Sequence, residues 1–366
     1  MILHLLFHDK FEEYAIKHFS LTEMCSEIVV VLSSRTSYSN TAIPRTRYIY
    51  ENSSEFEELL LELNRYNAIV FHGLFFPWQE RVFECIPQSV KIAWVFWGGE
   101  IYGRKDIAKD YLSFSSKSLL LKHRILHFIK YRTVSDKYEI PLNLLKRIDY
   151  CLTDIPEDFA FVKEYFQTDI KELWYNYYSV DETIGELKNA RCYGNNILLG
   201  NSCSIECNHF DGFKAIRGMR LNVDTNVYVP LSYGEAWLRK EILLKGERFL
   251  KKRFKPITTF LPRNEYNLII QSCSVAIMPH YRPQAFGNIL TALWLGTRVY
   301  LSKRNPLFSF FKRIGAIIFC IEDEPEVSLL PLTDAELIQN RSAISALYNA
   351  ETMYKNNKLI VKTLDS

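Results

Sequence analysis

Three short segments bring together residue types that bind phosphate or move protons. Gly200, Asn201 and Ser202 directly follow the apolar run 197–199, and a helix is expected to open near Asn208 and His209 and to continue through Phe213 to Ile216. Glycine lets a backbone approach a ligand, and serine and asparagine offer donors near a helix N-terminus, where anions bind. The same residues would also suit an ordinary strand-to-helix loop with an N-cap. Residues 279–288 read PHYRPQAFGN, between the strand candidate 275–278 and the apolar helix 289–295. Arg282 precedes that helix, and Gly287 and Asn288 stand at its start. A guanidinium beside free helix-terminal N–H groups can clamp a diphosphate. Lys303 and Arg304 follow the next strand on the same edge. The plain alternative is a capped turn with solvated arginines, but several donors on one edge favour an anion site.

The third segment pair lies in the first half of the chain. His72 and Gly73 end one predicted strand, and Trp97, Gly98, Gly99 and Glu100 end another. Glu100 or His72 could serve as a general base for an acceptor hydroxyl or hold a sugar hydroxyl. The alternatives are a carboxylate that favours a helix N-terminus and a buried, satisfied histidine. Cys203, Cys207 and His209 lack a fourth ligand of matching spacing, so no zinc site is expected. The stretch 117–132, KSLLLKHRILHFIKYR, alternates Lys122, Arg124 and Lys130 with Leu, Ile and Phe. It reads either as a helix lying on a membrane surface or as a domain helix with a solvated basic face.

Short apolar runs must position these groups. Strands are expected at 2–7, 27–32, 68–71, 91–96 and 148–152, separated by helical patterns such as 54–63. A second series follows at 197–199, 226–230, 258–261, 275–278 and 299–301, after a polar segment 181–196 that looks like a linker. Residues 334–359 read as helix. Strands alternating with helices imply parallel sheets. The expected architecture is α/β: two consecutive Rossmann-like domains, 1–180 and 181–335, with a C-terminal helix in 336–366 returning to the first. A ligand is expected in a crevice between them, at the carboxyl ends of the strands.

Composition bounds the function classes. The 366 residues are 48% hydrophobic and 14% aromatic, too apolar for a disordered chain. A net charge of +3, from 45 basic and 42 acidic residues, is too balanced for a dedicated nucleic-acid binder. The 8 cysteines are scattered along a long chain, which suits reduced thiols in a cytosolic compartment. The N-terminal apolar run is interrupted by His4 and ends at Phe7, too short for a signal-peptide core. No stretch approaches the roughly 20 apolar residues of a membrane span. A dinucleotide oxidoreductase is disfavoured because no G-x-G-x-x-G follows the first strand.

At the same residues the chain resembles a known family. GNS at Gly200 to Ser202 with His209 downstream, VPLSYG at 229–234, RPQAFG at 282–287 and NP at Asn305 and Pro306 resemble the TDP-N-acetylfucosamine:lipid II N-acetylfucosaminyltransferases. These are the 4-acetamido-4,6-dideoxygalactose transferases of glycosyltransferase family 56. They act in enterobacterial common antigen assembly. FHG at 71–73 and WGGEIY at 97–102 resemble that family's FHG and WGADLY segments. The resemblance runs from about Phe71 to Phe308. It departs at Cys207, where an Asn is expected (Asn208 is adjacent), at Ala285 in place of Gly, and at Glu100 in place of Asp.

The resemblance implies a GT-B fold, with a dTDP-linked amino-deoxysugar donor held mainly by the second domain. It implies a polyprenyl-diphosphate-linked saccharide acceptor and a peripheral position on the inner face of the bacterial cytoplasmic membrane. No cofactor or metal is expected, since no aspartate-rich motif follows a candidate strand. Gly200, Asn201, Ser202, His209, Tyr233, Arg282, Gln284, Gly287, Asn288 and Lys303 would then hold the donor, and Glu100 and His72 would face the acceptor. A relative serving O-antigen synthesis fits equally. The alternatives are a GT-B enzyme using a UDP- or GDP-sugar and a non-catalytic sugar-nucleotide-binding protein.

Overall fold

The computed structural model describes residues 1–9, 11–20, 26–33, 46–131, 138–323 and 328–366. They form two compact units. One comprises Met1–Ile101, Asp136–Ser179 and Ala350–Ser366, and the other Tyr102–Ser135 and Val180–Asn349.

The first unit is built on a seven-stranded sheet. Its strands are β1 (Ile2–Phe7), β2 (Ser26–Leu32), β3 (Thr46–Tyr50), β4 (Ala68–His72), β5 (Lys91–Val95), β6 (Tyr150–Thr153) and β7 (Lys171–Trp174). The spatial order is β3-β2-β1-β4-β5-β6-β7, and every pairing is parallel. A parallel strand covered on both faces needs a continuous apolar run, and β4, AIVFH, is buried at all five positions. The edge strands β3 and β7 each bury one residue, Ile49 and Leu173. Chain order reverses direction across the sheet between β1 and β4. The turns leaving their carboxyl ends therefore part at that point, which is where open parallel sheets bind ligands. One core cluster packs Ile2, Leu6, Val30, Val70, Ala93 and Leu152 against Ile360, Val361 and Leu364 of the helix Ala350–Asp365.

The second unit holds six parallel strands, β8 (Asn196–Leu199), β9 (Val227–Pro230), β10 (Phe254–Ile257), β11 (Cys273–Met278), β12 (Arg298–Leu301) and β13 (Phe319–Cys320). Their order is β10-β9-β8-β11-β12-β13, with the same reversal between β8 and β11. Ile197, Val229, Val275, Ile277 and Tyr300 meet Phe213, Leu238 and Ile242 in its core.

Two assignments made from sequence are corrected. Residues 102–135, expected in the first domain, belong to the second unit. Leu112 joins the second core, Leu119 and Leu120 pack on it, and the Ser113 N–H donates to Asn208 Oδ1 at 2.9 Å. The supposed linker 181–196 carries the helix Val180–Ile184 and a 3-10 turn Gly185–Asn189. Asn267 Nδ2 and Arg263 Nη1 donate to the carbonyls of Thr183 and Glu182 at 3.0 and 2.9 Å, which fastens this helix to the unit.

Candidate functional site

In the second unit the loops leaving β8 and β11 flank the reversal of strand order. Gly200 follows β8 at φ +68°, a left-handed backbone that glycine adopts without strain. A Cβ there would stand 3.1 Å from His209 Nε2, so the missing side chain also makes room for the histidine ring. Asn201 and Ser202 follow, both buried. Cys207 Sγ donates to Asn201 Oδ1 at 3.2 Å and lies 3.5 Å from Ser202 Oγ. Gln284 Nε2, from the loop after β11, donates to the same sulfur at 3.4 Å. The Tyr233 phenol interacts with Asn201 and Ser202. Its own loop is held to the β8 loop by the Cys203 N–H, which donates to the Tyr233 carbonyl at 2.8 Å. That approach requires Gly234, at φ +113°, because a Cβ there would meet the Cys203 carbonyl oxygen at 2.3 Å.

His209 opens the helix His209–Arg217 and is buried. Its Nε2 has no hydrogen-bond partner among the described residues. Burial lowers its pKa to about 4, so the ring is neutral near pH 7. The preceding Asn208 is fully buried, and its Nδ2 donates to the Pro279 carbonyl at 3.1 Å. This ties the start of the β11 loop to the helix.

The β11 loop is pinned from its other side by Asn305, which caps the helix Pro306–Arg313 by accepting from the Leu307 N–H. Asn305 Nδ2 donates to the carbonyls of His280 and Arg282 at 3.0 and 3.2 Å. His280 is buried and its pKa is lowered to about 3, chiefly by burial. Arg282 is half-buried. Its Nη1 donates only to the neighbouring Pro283 carbonyl, at 3.3 Å, and its Nε is buried without a partner. Among the described residues no carboxylate pairs with it. Ala285 then turns the chain at φ +61° into the helix Phe286–Leu295, whose first turn holds Gly287 and Asn288. Asn288 Nδ2 donates to the Tyr266 hydroxyl at 3.4 Å.

The loop 200–202, His209, Tyr233, Gln284 and the Arg282 turn thus form one hydrogen-bonded neighbourhood at the carboxyl edge of the second sheet. A cation without a carboxylate, orphaned buried nitrogens and a helix N-terminus make that neighbourhood suited to an anion. Lys303 does not join it. Its ammonium pairs with Asp323 at 3.2 Å, and Arg304 donates to the Asp110 carbonyl at 2.6 Å while stacking over Tyr281. Cys203, Cys207 and His209 form no metal cluster among the described residues.

In the first unit, His72 and Glu100 lie inside rather than on the surface. His72 is 1% exposed and Glu100 6%. Glu100 Oε1 accepts from the Trp94 indole and from the Trp97 N–H, both at 3.0 Å, so it fixes the turn after β5. His72 Nε2 lies 3.1 Å from His4 Nδ1, and His72 Nδ1 lies 2.9 Å from the Tyr177 hydroxyl, to which the Trp97 indole also donates. Burial, with His4 and His18 nearby, holds the His72 pKa well below the imidazole range. Both residues therefore hold the edge of the sheet in shape, and this corrects the expectation that they face an acceptor directly.

Sequence reading passed over a pair at the same edge. His8 follows β1 directly and is half exposed, and its Nδ1 lies 2.8 Å from Glu12 Oε2. Glu12 is buried, and its Oε1 accepts from the Tyr48 hydroxyl at 2.6 Å. The i,i+4 spacing of an imidazole and a carboxylate across a strand end was the available signal.

The helix Phe114–Tyr131 contains no Asp or Glu and shows a large apolar surface. Phe114, Leu121, Ile125, Leu126, Phe128 and Ile129 are between 51% and 86% exposed. Lys122 and Arg124 are exposed among them, whereas the side chain of Lys130 and residue 132 lie outside the described residues. Among the described residues no helix is long and apolar enough to cross a membrane.

No family model matches the chain. Solved structures match its fold along the whole length. Apo OtsA superposes with a TM-score of 0.62 at 8% identity, covering 100% of this chain and 99% of that one. Sucrose-phosphate synthase of Thermosynechococcus elongatus gives 0.54 at 13% identity, covering 100% and 95%. HepE of Anabaena, in complex with UDP-glucose, gives 0.53 at 12% identity, also covering 100% and 95%. The likeness is one of fold: two Rossmann-like domains of the GT-B type.

Proposed function

We propose that the protein is a glycosyltransferase that takes its sugar from a nucleoside-diphosphate donor bound by the second unit. The observation that carries this reading is Arg282. It is a half-buried guanidinium with no carboxylate partner among the described residues, set before the N-terminus of the helix Phe286–Leu295 in the same hydrogen-bonded neighbourhood as the Gly200–Ser202 loop. Those groups would hold the two phosphates and stabilise the charge that develops on the leaving nucleoside diphosphate. Tyr233, Gln284, Asn288 and His209 lie around them as donor contacts. The structures of similar fold include HepE in complex with UDP-glucose, which supports a sugar nucleotide as the ligand class.

Within that class, the motifs around Gly200, Tyr233 and Arg282 favour a dTDP-linked 4-acetamido-4,6-dideoxygalactose or a close amino-deoxysugar. The acceptor is then a saccharide on a polyprenyl diphosphate, in common-antigen or O-antigen synthesis. The exposed apolar and basic face of Phe114–Tyr131 supports the lipid-linked acceptor, because such a helix adheres to an anionic bilayer from the cytoplasmic side. Lys122, Arg124 and Lys130 would supply the charge.

A thermal-shift panel of dTDP, UDP, GDP and NAD tests the reading, since a ligand that binds only the folded state raises the melting temperature. The expected order is dTDP first, UDP weaker and NAD without effect. A shift with UDP alone transfers the assignment to a UDP-sugar enzyme, and no shift with any nucleotide removes it.

A further inference from the structure

We propose that the first unit carries a ligand site of its own, for a small phosphorylated sugar, at the amino edge of its sheet. The site goes beyond the glycosyltransferase reading and does not depend on it. A cavity of 330 Å³ opens beside the starts of β5, β6 and β7, at the edge opposite His72 and Glu100. Its size is at the small end of the range for ligand pockets, roughly 300–1,000 Å³. Its walls carry four cations, Lys91, Lys146, Arg147 and Lys171, against two carboxylates, Asp149 and Asp169. Strand order brings the cations together. Lys91 opens β5 and Lys171 opens β7, on either side of β6, and Lys146 and Arg147 form the turn before β6.

Two of these cations are anchored and two are not. Arg147 Nη1 donates to the carbonyls of Phe83 and Ile86, both at 3.1 Å, and its Nη2 to that of Pro87 at 3.4 Å, at the end of the helix Pro77–Cys85. Lys91 Nζ donates to the Thr363 carbonyl at 3.2 Å and to the Ser366 hydroxyl at 3.4 Å. Among the described residues, Lys171 Nζ meets only the Tyr150 ring, 5.7 Å from its centroid, and the Lys146 ammonium has no partner. Asp149 Oδ2 accepts from the Ile92 N–H at 2.8 Å. Asp365, whose charge reaches Lys91, pairs instead with the Met1 ammonium at 2.7 Å. The anchored cations are thus held by uncharged groups, and no carboxylate among the described residues forms an ion pair with any of the four. Like charges left unneutralised in one concavity focus a positive potential and draw a compact anion. A phosphate monoester matches them, since it offers three acceptor oxygens and roughly two negative charges to ammonium and guanidinium donors. The carboxylates indicate what the phosphate is attached to. They repel a bare anion, whereas sugar hydroxyls can donate to Asp169 and to Oδ1 of Asp149 while the lysines take the phosphate.

Isothermal calorimetry on the full chain tests the site, with glucose 6-phosphate, inorganic phosphate, succinate and glucose as probes. Glucose 6-phosphate should bind more tightly than phosphate, succinate more weakly than either, and glucose not at all. Lys146→Gln or Lys171→Gln should weaken glucose 6-phosphate about 10-fold, and the double variant about 100-fold. Neither lysine supports the fold through a hydrogen bond, so melting temperatures without ligand should not move. Lys252→Gln with Lys255→Gln removes the same charge from the second unit and should leave the affinity intact. Asp169→Asn should tighten inorganic phosphate and weaken glucose 6-phosphate. Arg282→Ala, which disables the proposed donor site, should bind glucose 6-phosphate as wild type does, and the double lysine variant should bind dTDP as wild type does. Loss of glucose 6-phosphate binding in Arg282→Ala but not in the double lysine variant overturns the proposal, because the phosphate then sits in the donor site. Absence of binding by wild type, or an equal loss in the Lys252 and Lys255 control, also overturns it, and both results leave the glycosyltransferase reading standing. Inorganic phosphate that binds as tightly as glucose 6-phosphate overturns the ligand class. A wild type that binds glucose 6-phosphate but no nucleoside diphosphate keeps this site and removes the donor reading.

Discussion

Replacing Arg282 by alanine separates binding from folding because of what this side chain touches. In the protein alone, its Nη1 makes one long bond to the Pro283 carbonyl and its Nε makes none. The substitution therefore removes little that supports the fold. The expected stability change is within about 0.5 kcal/mol, as for substitutions that touch no special feature. In a domain of this size that is a shift of roughly 1–2 °C in melting temperature. Binding should respond differently. A hydrogen bond to a charged group contributes about 1.5–3 kcal/mol, so losing the guanidinium contact to a phosphate should weaken nucleoside-diphosphate affinity roughly 10- to 150-fold. Arg282→Lys keeps the charge without the planar fork and should fall between alanine and wild type. Isothermal calorimetry with dTDP and UDP, paired with thermal melts of the unliganded proteins, measures both quantities. An unchanged Kd alongside an unchanged melting temperature would refute the argument, because it would leave the guanidinium with no phosphate to hold. A large fall in stability would refute it from the other side, by showing that Arg282 holds the loop.

Three other perturbations have defined outcomes. Gly234→Ala forces a Cβ to 2.3 Å from the Cys203 carbonyl oxygen at φ +113°, so the strand-like contact must open. The left-handed strain and two lost backbone bonds, Cys203 N–H to Tyr233 and Glu235 N–H to Cys203, together cost roughly 3–5 kcal/mol, read as a lower urea midpoint. The buried His209 and His280, with pKa values lowered to about 4 and about 3, stabilise the fold most above the unfolded value near 6.5. The unfolded chain takes up those protons first, so stability should decline as pH falls from about 6.5 towards 4, and His209→Gln should flatten that slope in melts at pH 7 and pH 5. Lys122→Gln with Arg124→Gln should weaken flotation with anionic liposomes by roughly thirtyfold, at about 1 kcal/mol per cation, with nucleotide binding unchanged. Equal flotation at low salt would return the helix Phe114–Tyr131 to an ordinary solvated face.

The central strands were legible because they are apolar without interruption. AIVFH in β4 and KIAWV in β5 admit no other reading between their turn residues. The edge strands were not. TRYIY in β3 and KELW in β7 bury one residue each, so the alternation that marks a strand is lost in polar side chains. β10 was placed four residues late, on TTFL, because Phe260 looks like core; it is 82% exposed, and the strand is FKPI. The loops of the candidate site were legible from glycine and arginine next to strand ends. The direction of a side chain was not. Sequence places Lys303 on the right edge but says nothing of Asp323, which takes its charge. It places Glu100 and His72 at strand ends but does not show that Trp94, Trp97, His4 and Tyr177 surround them. The His8–Glu12 pair depends on Tyr48 from β3, the strand that composition concealed.

The helix Ala350–Asp365 has a consequence for how the chain is made. Ile360, Val361 and Leu364 fill a core whose other walls, Ile2, Leu6 and Val30, leave the ribosome at least 330 residues earlier. Val180–Asn349 lies wholly between, so the second unit has all its strands before the first has its last helix. During synthesis the nascent first sheet must wait with one apolar flank uncovered while a complete second sheet assembles downstream. Chaperone demand and aggregation risk should therefore fall on the half of the protein that is translated first, and a ribosome stalled near Asn349 would carry a nearly complete second unit tethered to an unsealed first one.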